Sequence, residues 1–222
     1  MRTPVIRLID LGLADDFGRS MGFAQSLLGS INVSGIRSDV EYLRTSDPNL
    51  VAHALTVPAR LIHIMSHGET SWEDGSPGFS GTTESGDRGV FLGLDDLASY
   101  LQGRGEGIEA TALFADACDS AQAKFTNALR ASLERPLVYI GATRRVDWHE
   151  CTTFGSIFYG SMLRAKGRGT DGYDWMLDAA QRSVRAYVEA VHGRCPFKVV
   201  ELKPSRAAAG AFAKAKRQAG VV

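Results

Sequence analysis

The stretch "LIHIMSHGET" (61–70) decides how this chain is read. Leu61 to Met65 form an apolar run with one histidine, His63, inside it. A short apolar run bounded by polar residues predicts a strand buried on both faces, as in a parallel sheet. The run stops at Ser66, His67 and Gly68, which places an imidazole and a glycine where a buried strand meets solvent. "TALFADACDS" (111–120) has the same design, an apolar run ending in Asp116, Cys118, Asp119 and Ser120. Sites in parallel α/β sheets lie beyond the carboxyl ends of the strands. If these two strands are neighbours, His67 and Cys118 meet there.

That pairing has a chemistry. A histidine takes a thiol proton and orients the thiolate. A helix starting just after Cys118 would lower the thiol pKa through its amide dipoles. Gly68 offers a backbone N–H with no side chain in the way, which suits an oxyanion hole. A single cysteine is by default an inert core residue, and a single strand-end histidine a structural one. The matched placement of the two is what points to a cysteine nucleophile.

Working outward, apolar runs alternate with helical patterns, the signature of βαβ units. Strands are expected at 4–11, 40–45, 59–68, near 89, and at 110–118, 136–143 and 197–202. Helices are expected at 19–31, at 47–56 with Asp47 as N-cap and Pro48 in first position, up to 103, at 120–134, near 149–166 and at 172–191. Residues 69–88 are rich in Gly, Ser, Thr and acid without a period, and read as a long functional loop. One domain over 1–203 is the economical reading, followed by a basic, flexible tail at 204–222.

The 222 residues suffice for a substantial core. Lys+Arg and Asp+Glu each number 25, so overall charge argues for neither nucleic acid nor an anionic membrane as partner. No apolar run approaches the roughly 20 residues of a membrane helix. "MRTPVIRLIDLGLADDFG" lacks the features of a secretory signal, and the 3 cysteines are widely spaced, so a cytoplasmic protein with reduced thiols is expected.

"HIMSHG" and "FADACDSA" resemble the two catalytic boxes of the caspase-like (clan CD) cysteine peptidases, which include caspases, metacaspases, separases, gingipains and bacterial CHAT domains. The caspase box is Q-A-C-[RQG]-G with its His about 50 residues upstream; here the separation is 118 − 67 = 51. Asp116, Asp119 and Ser120 depart from that box. "DACDS" is closer to the D-x-C boxes of metacaspases and separases and to the A-C-x-S core of CHAT domains. With "PLVYIGATRRVDWHECTTFGSIFYGSML" (136–163), the likeness spans roughly residues 59–165.

The resemblance implies a three-layer α/β/α sandwich with a mostly parallel sheet. It implies His67 as general base and acid, Cys118 as nucleophile, and the Gly68 and Cys118 amides as the oxyanion hole. Ser66 and Glu69 are candidates to orient His67. Asp116 lies two residues before Cys118, so on a strand both side chains share a side. In the related D-x-C enzymes such an acid lines the S1 pocket, which implies cleavage after Arg or Lys; the competing role for Asp116 is a helix cap. Asp147 and Trp148 are further candidates for the substrate wall. The partners implied are a protein or peptide substrate and an activator in a bacterial defence or signalling system. A catalytically silent interaction module is the alternative. No cofactor is implied. "DWHEC" (147–151) lacks a second motif for zinc, and no phosphate loop follows a strand.

Overall fold

The computed structural model describes residues 5–11, 18–33, 39–71, 73–82, 88–164 and 172–220. A six-stranded sheet forms the centre: β1 (Val5–Leu11), β2 (Asp39–Thr45), β3 (Ala59–Met65), β7 (Ala110–Asp116), β8 (Leu137–Ala142) and β9 (Phe197–Leu202), in the order β2-β1-β3-β7-β8-β9. All neighbours are parallel except β8 and β9. The alternation of strand and helix in the sequence requires this arrangement, because parallel strands need crossover connections.

Both faces of the sheet are covered. Leu61 and Met65 of β3, with Ala112 and Phe114 of β7, pack under α1 (Gly18–Val33), α5 (Trp148–Arg164) and α6 (Tyr173–Val191). Ile62, Ile64, Leu113 and Ala115 face the other way. They pack under α2 (Pro48–Thr56), α3 (Leu94–Arg104), α4 (Ala123–Ala131) and α7 (Arg206–Gln218). Phe114 anchors the first core, with its ring edge-on to Phe154, Phe158 and Phe197 at centroid distances of 5.6, 6.0 and 5.4 Å. Such pairs add to simple area burial.

Local signals act as expected at α2. Asp47 accepts from the Asn49 N–H at 2.8 Å and Pro48 starts the helix. At α3 the stop is Gly105, whose φ of 68° lets its N–H reach the last carbonyls.

Three expectations are corrected. The 59–68 run is two strands: β3 ends at Met65, and His67–Thr70 is β4 of a second sheet. The expected 69–88 loop forms most of that sheet, where β4, β5 (Pro77–Thr82) and β6 (Arg88–Gly93) pair antiparallel. Its few apolar residues explain why. Phe79 and Leu92 are buried, and Phe79 meets Phe125 of α4 with ring centroids 5.8 Å apart. Residue 72 and residues 83–87 of that stretch lie outside the described residues. The expected tail is helix α7. Ser205 caps it through the Ala208 N–H at 3.0 Å, Ala208 and Phe212 are buried one turn apart, and Lys216 pairs with Glu134 at 2.7 Å. Basic residues on one side had hidden a narrow apolar stripe.

Among the described residues, no helix is long and apolar enough to cross a membrane. Truncating Phe212 tests the packing of α7: Phe212→Ala should lower unfolding free energy by about 3–5 kcal/mol in a urea titration, whereas a solvated tail would give no change.

Candidate active site

The β3–β7 register builds the site. Met65 pairs with Asp116, and the Ser66 N–H donates to the Asp116 carbonyl at 3.2 Å. Two residues further along each strand stand His67 and Cys118. Gly68 is packed against the Cys118 backbone. A Cβ at Gly68 would lie 1.8 Å from the Cys118 carbonyl oxygen and 3.1 Å from its nitrogen. No residue but glycine fits there without moving one chain off the other. The structure therefore sets Gly68 against Cys118, with His67 the residue before it. His67 is exposed and Cys118 half-buried.

The backbone beyond Cys118 is a turn, not a helix. α4 begins only at Ala123, so the expected helix dipole immediately after the thiol is absent. The turn is fixed by its own polar groups. Asp119 adopts a left-handed φ of 57°, which a short polar side chain tolerates. Its N–H donates to the Arg144 carbonyl at 3.2 Å, and the Ala121 N–H donates to Ala142 at 2.8 Å. Gln122 donates its side-chain amide to the Asp119 carboxylate at 2.7 Å. Ser120 is wholly buried; its Oγ accepts from the Ala142 N–H at 3.0 Å, and its carbonyl accepts from the Tyr139 hydroxyl at 2.9 Å. Burial pushes the Tyr139 pKa far up, so it remains a donor. Asp119 and Ser120, the departures from the caspase box, are thus explained by the turn they make.

Cys118 faces the loop between β8 and α5, with Sγ 3.8 Å from the Val146 carbonyl oxygen. The next residue, Asp147, caps α5: its Oδ1 accepts from the Glu150 N–H at 2.9 Å, while Glu150 accepts from the Asp147 N–H at 3.3 Å. This is a capping box, with Asp147 exposed. Trp148 is 44% exposed, its ring 3.7 Å from that of His149. The loop borders the thiol, but the Asp147 carboxylate is committed to its helix. Glu150 also holds the Arg144 guanidinium through both nitrogens, at 3.0 and 2.5 Å.

Asp116 caps no helix. It ends β7, 7% exposed, on the α1–α5 side of the sheet. A small cavity of about 10 Å³, the size of one water molecule, lies there, lined by Phe23, His63, Asp116, Cys151 and Tyr159 among others. The Cys151 thiol is pushed far up, first by burial and then by the Asp116 carboxylate to which it donates, with a further contribution from Cys118. Asp116 and Cys118 thus both lie near enough to act on the Cys151 thiol. No role beside Asp116 is read from the sequence for His63, Cys151 or Tyr159. Ser66 Oγ is buried and makes no hydrogen bond among the described residues, so it does not orient His67. No cluster of metal-ligating side chains occurs among the described residues, "DWHEC" included.

No protein-family model matches this sequence, and no curated protein matches it. Solved structures do. A secreted C11 cysteine protease of Bacteroides thetaiotaomicron, iotapain, is similar with a TM-score of 0.54 at 14% identity, over 91% of this chain and 67% of that one. The complex of the pro- and mature domains of Porphyromonas gingivalis RgpB is similar with a TM-score of 0.50 at 12% identity, over 85% of this chain and 43% of that one. At such identities the likeness is one of fold. The three-layer architecture expected from the resemblance is present, and its fold is shared with the secreted C11 cysteine protease.

Proposed function

We propose that this chain is a cysteine endopeptidase that uses His67 and Cys118 and cleaves after Arg or Lys. The observation that supports the reading is the seating of Gly68 on the Cys118 backbone just beyond the β3–β7 register, with His67 the residue before Gly68. His67 takes the Cys118 proton. The thiolate attacks the scissile carbonyl carbon, and the Gly68 and Cys118 amides hold the oxyanion. Collapse breaks the C–N bond, and the amine leaves with the proton from His67. Water, deprotonated by His67, hydrolyses the thioester, releasing the acid and restoring the thiol.

Asp116 supplies the selectivity. A nearly buried carboxylate on the thiol's side of the sheet favours a guanidinium or ammonium side chain through charge-assisted hydrogen bonds. Trp148 stands exposed by the loop that borders the thiol and forms part of the substrate wall. Following the resemblance, the enzyme is under the control of a partner or activator.

Fluorogenic peptides that differ only at P1 (Arg, Lys, Asp, Leu) test this. Cleavage after Arg and Lys should vanish in Cys118→Ala and His67→Ala. Asp116→Asn should lower kcat/KM for the Arg peptide about a hundredfold. Cleavage after Asp or Leu instead would remove the pocket assignment and keep the mechanism.

Thiol labelling separates an enzyme from a silent interaction module. Iodoacetamide should modify Cys118 in the native protein and spare Cys151, whose thiol burial keeps protonated. A Cys118 no faster than a free thiol would favour the module. Gly68→Ala should slow that labelling and cost about 1–3 kcal/mol of stability, since its Cβ must displace the Cys118 backbone.

A further inference from the structure

We propose that His63 is a specificity-determining residue: seated between Tyr159 and Asp116 beneath the pocket, it governs how much negative charge Asp116 presents, so that preference for a basic P1 side chain is lost when His63 takes up a proton. This rests on the peptidase reading and on Asp116 as its S1 acid.

The geometry is that of a buried, aimed imidazole. His63 is 3% exposed and stacks on Phe114 with ring centroids 4.2 Å apart and planes 16° apart. Its Nδ1 lies 2.5 Å from the Tyr159 hydroxyl. Its Nε2 has no hydrogen-bond partner among the described residues and faces the Asp116 Oδ2 at 3.8 Å. That is too long for a hydrogen bond but within the range of an ion pair. A buried polar atom left in this state calls for an explanation.

The Tyr159 hydroxyl can donate or accept. Burial, aided by the Asp116 charge, pushes its pKa far up, so the hydroxyl keeps its proton and can donate to Nδ1. The neutral ring then carries its single N–H on Nε2, pointed at Asp116. In this state no positive charge stands behind Asp116. On protonation the Tyr159 oxygen accepts from Nδ1–H, and the imidazolium pairs with Asp116 across the gap. A guanidinium entering the pocket then meets a compensated carboxylate and a positive charge behind it.

The surroundings leave Asp116 as the charge that His63 answers to. From α5 come Tyr159 and Cys151, both held in their neutral forms. From α1 come Phe23 and Ala24, which do not titrate. Leu8 of β1 is opposite His63 in register. Asp10 is one pair further on, opposite Met65, and Arg44 approaches it at 3.6 Å.

The test uses two peptides, one with P1 arginine and one with P1 citrulline, which has nearly the same shape without the charge. Titration of the His67–Cys118 pair affects both and cancels in the ratio of their kcat/KM values. In the wild-type protein the Arg/citrulline ratio should fall about tenfold or more between about pH 8 and about pH 5.5, as a histidine protonates. His63→Gln keeps a neutral hydrogen-bonding side chain and should hold the ratio flat. A flat wild-type ratio overturns the proposal. So does an equal fall in His63→Gln, which would assign the titration to Asp116 itself. Absence of any Cys118-dependent cleavage removes the peptidase reading and this inference with it. Cleavage with a flat ratio removes the inference alone.

Discussion

The parallel pairing of β3 with β7 is the constraint on which the rest depends. Side chains alternate across a sheet, so a slip of one residue would turn every side chain to the opposite face. Here both faces are closed: Leu61 and Met65 pack into one core, Ile62 and Ile64 into the other. Each such burial contributes about 1.5–3 kcal/mol, and a slip would also strand His63 and Asp116 in the wrong layer. The apolar residues thus hold the register, and the register aligns His67 with Cys118 beyond the strand ends. Packing that looks remote from chemistry sets its geometry.

Much of this was legible because the signals are local. The two apolar runs and their polar endings lie within ten residues each, and Asp47 with Pro48 marks a helix start without help from the rest of the chain. What escaped depends on distant partners. The β4–β6 sheet is built from glycine- and serine-rich segments of low strand preference; Phe79 becomes a core residue only because Phe125 of α4 comes to meet it. Helix α7 shows two buried positions among alanines and cations, and its docking depends on the surface that α3 and α4 offer. The Asp147 carboxylate looked like a substrate ligand, yet the Glu150 three residues on makes it a cap. That capping pair, three residues apart, is itself a local signal.

The turn at Cys118 shows how a strand end is made rigid without a helix. A residue in left-handed conformation is mildly unfavourable for a side chain other than glycine. Asp119 is held there by the Arg144 carbonyl on one side and Gln122 on the other, while Ser120 ties the turn to β8. The loop that carries Val146 and Asp147 is in turn fixed by Arg144 and Glu150. One set of hydrogen bonds therefore positions both the thiol and the loop beside it.

The two acids at the carboxyl end of the sheet make the final point. Asp10 and Asp116 flank Met65 in register, on the same face, and both are nearly or wholly withdrawn from water. A buried carboxylate is costly unless a cation answers it. Asp10 has Arg44. Asp116 has a thiol, which keeps its own proton, and an imidazole 3.8 Å away, and no arginine or lysine among the described residues. Two carboxylates in like positions thus differ in what answers them, a guanidinium for Asp10 and an imidazole with a thiol for Asp116. The basic P1 side chain proposed above would be a further cation for the second.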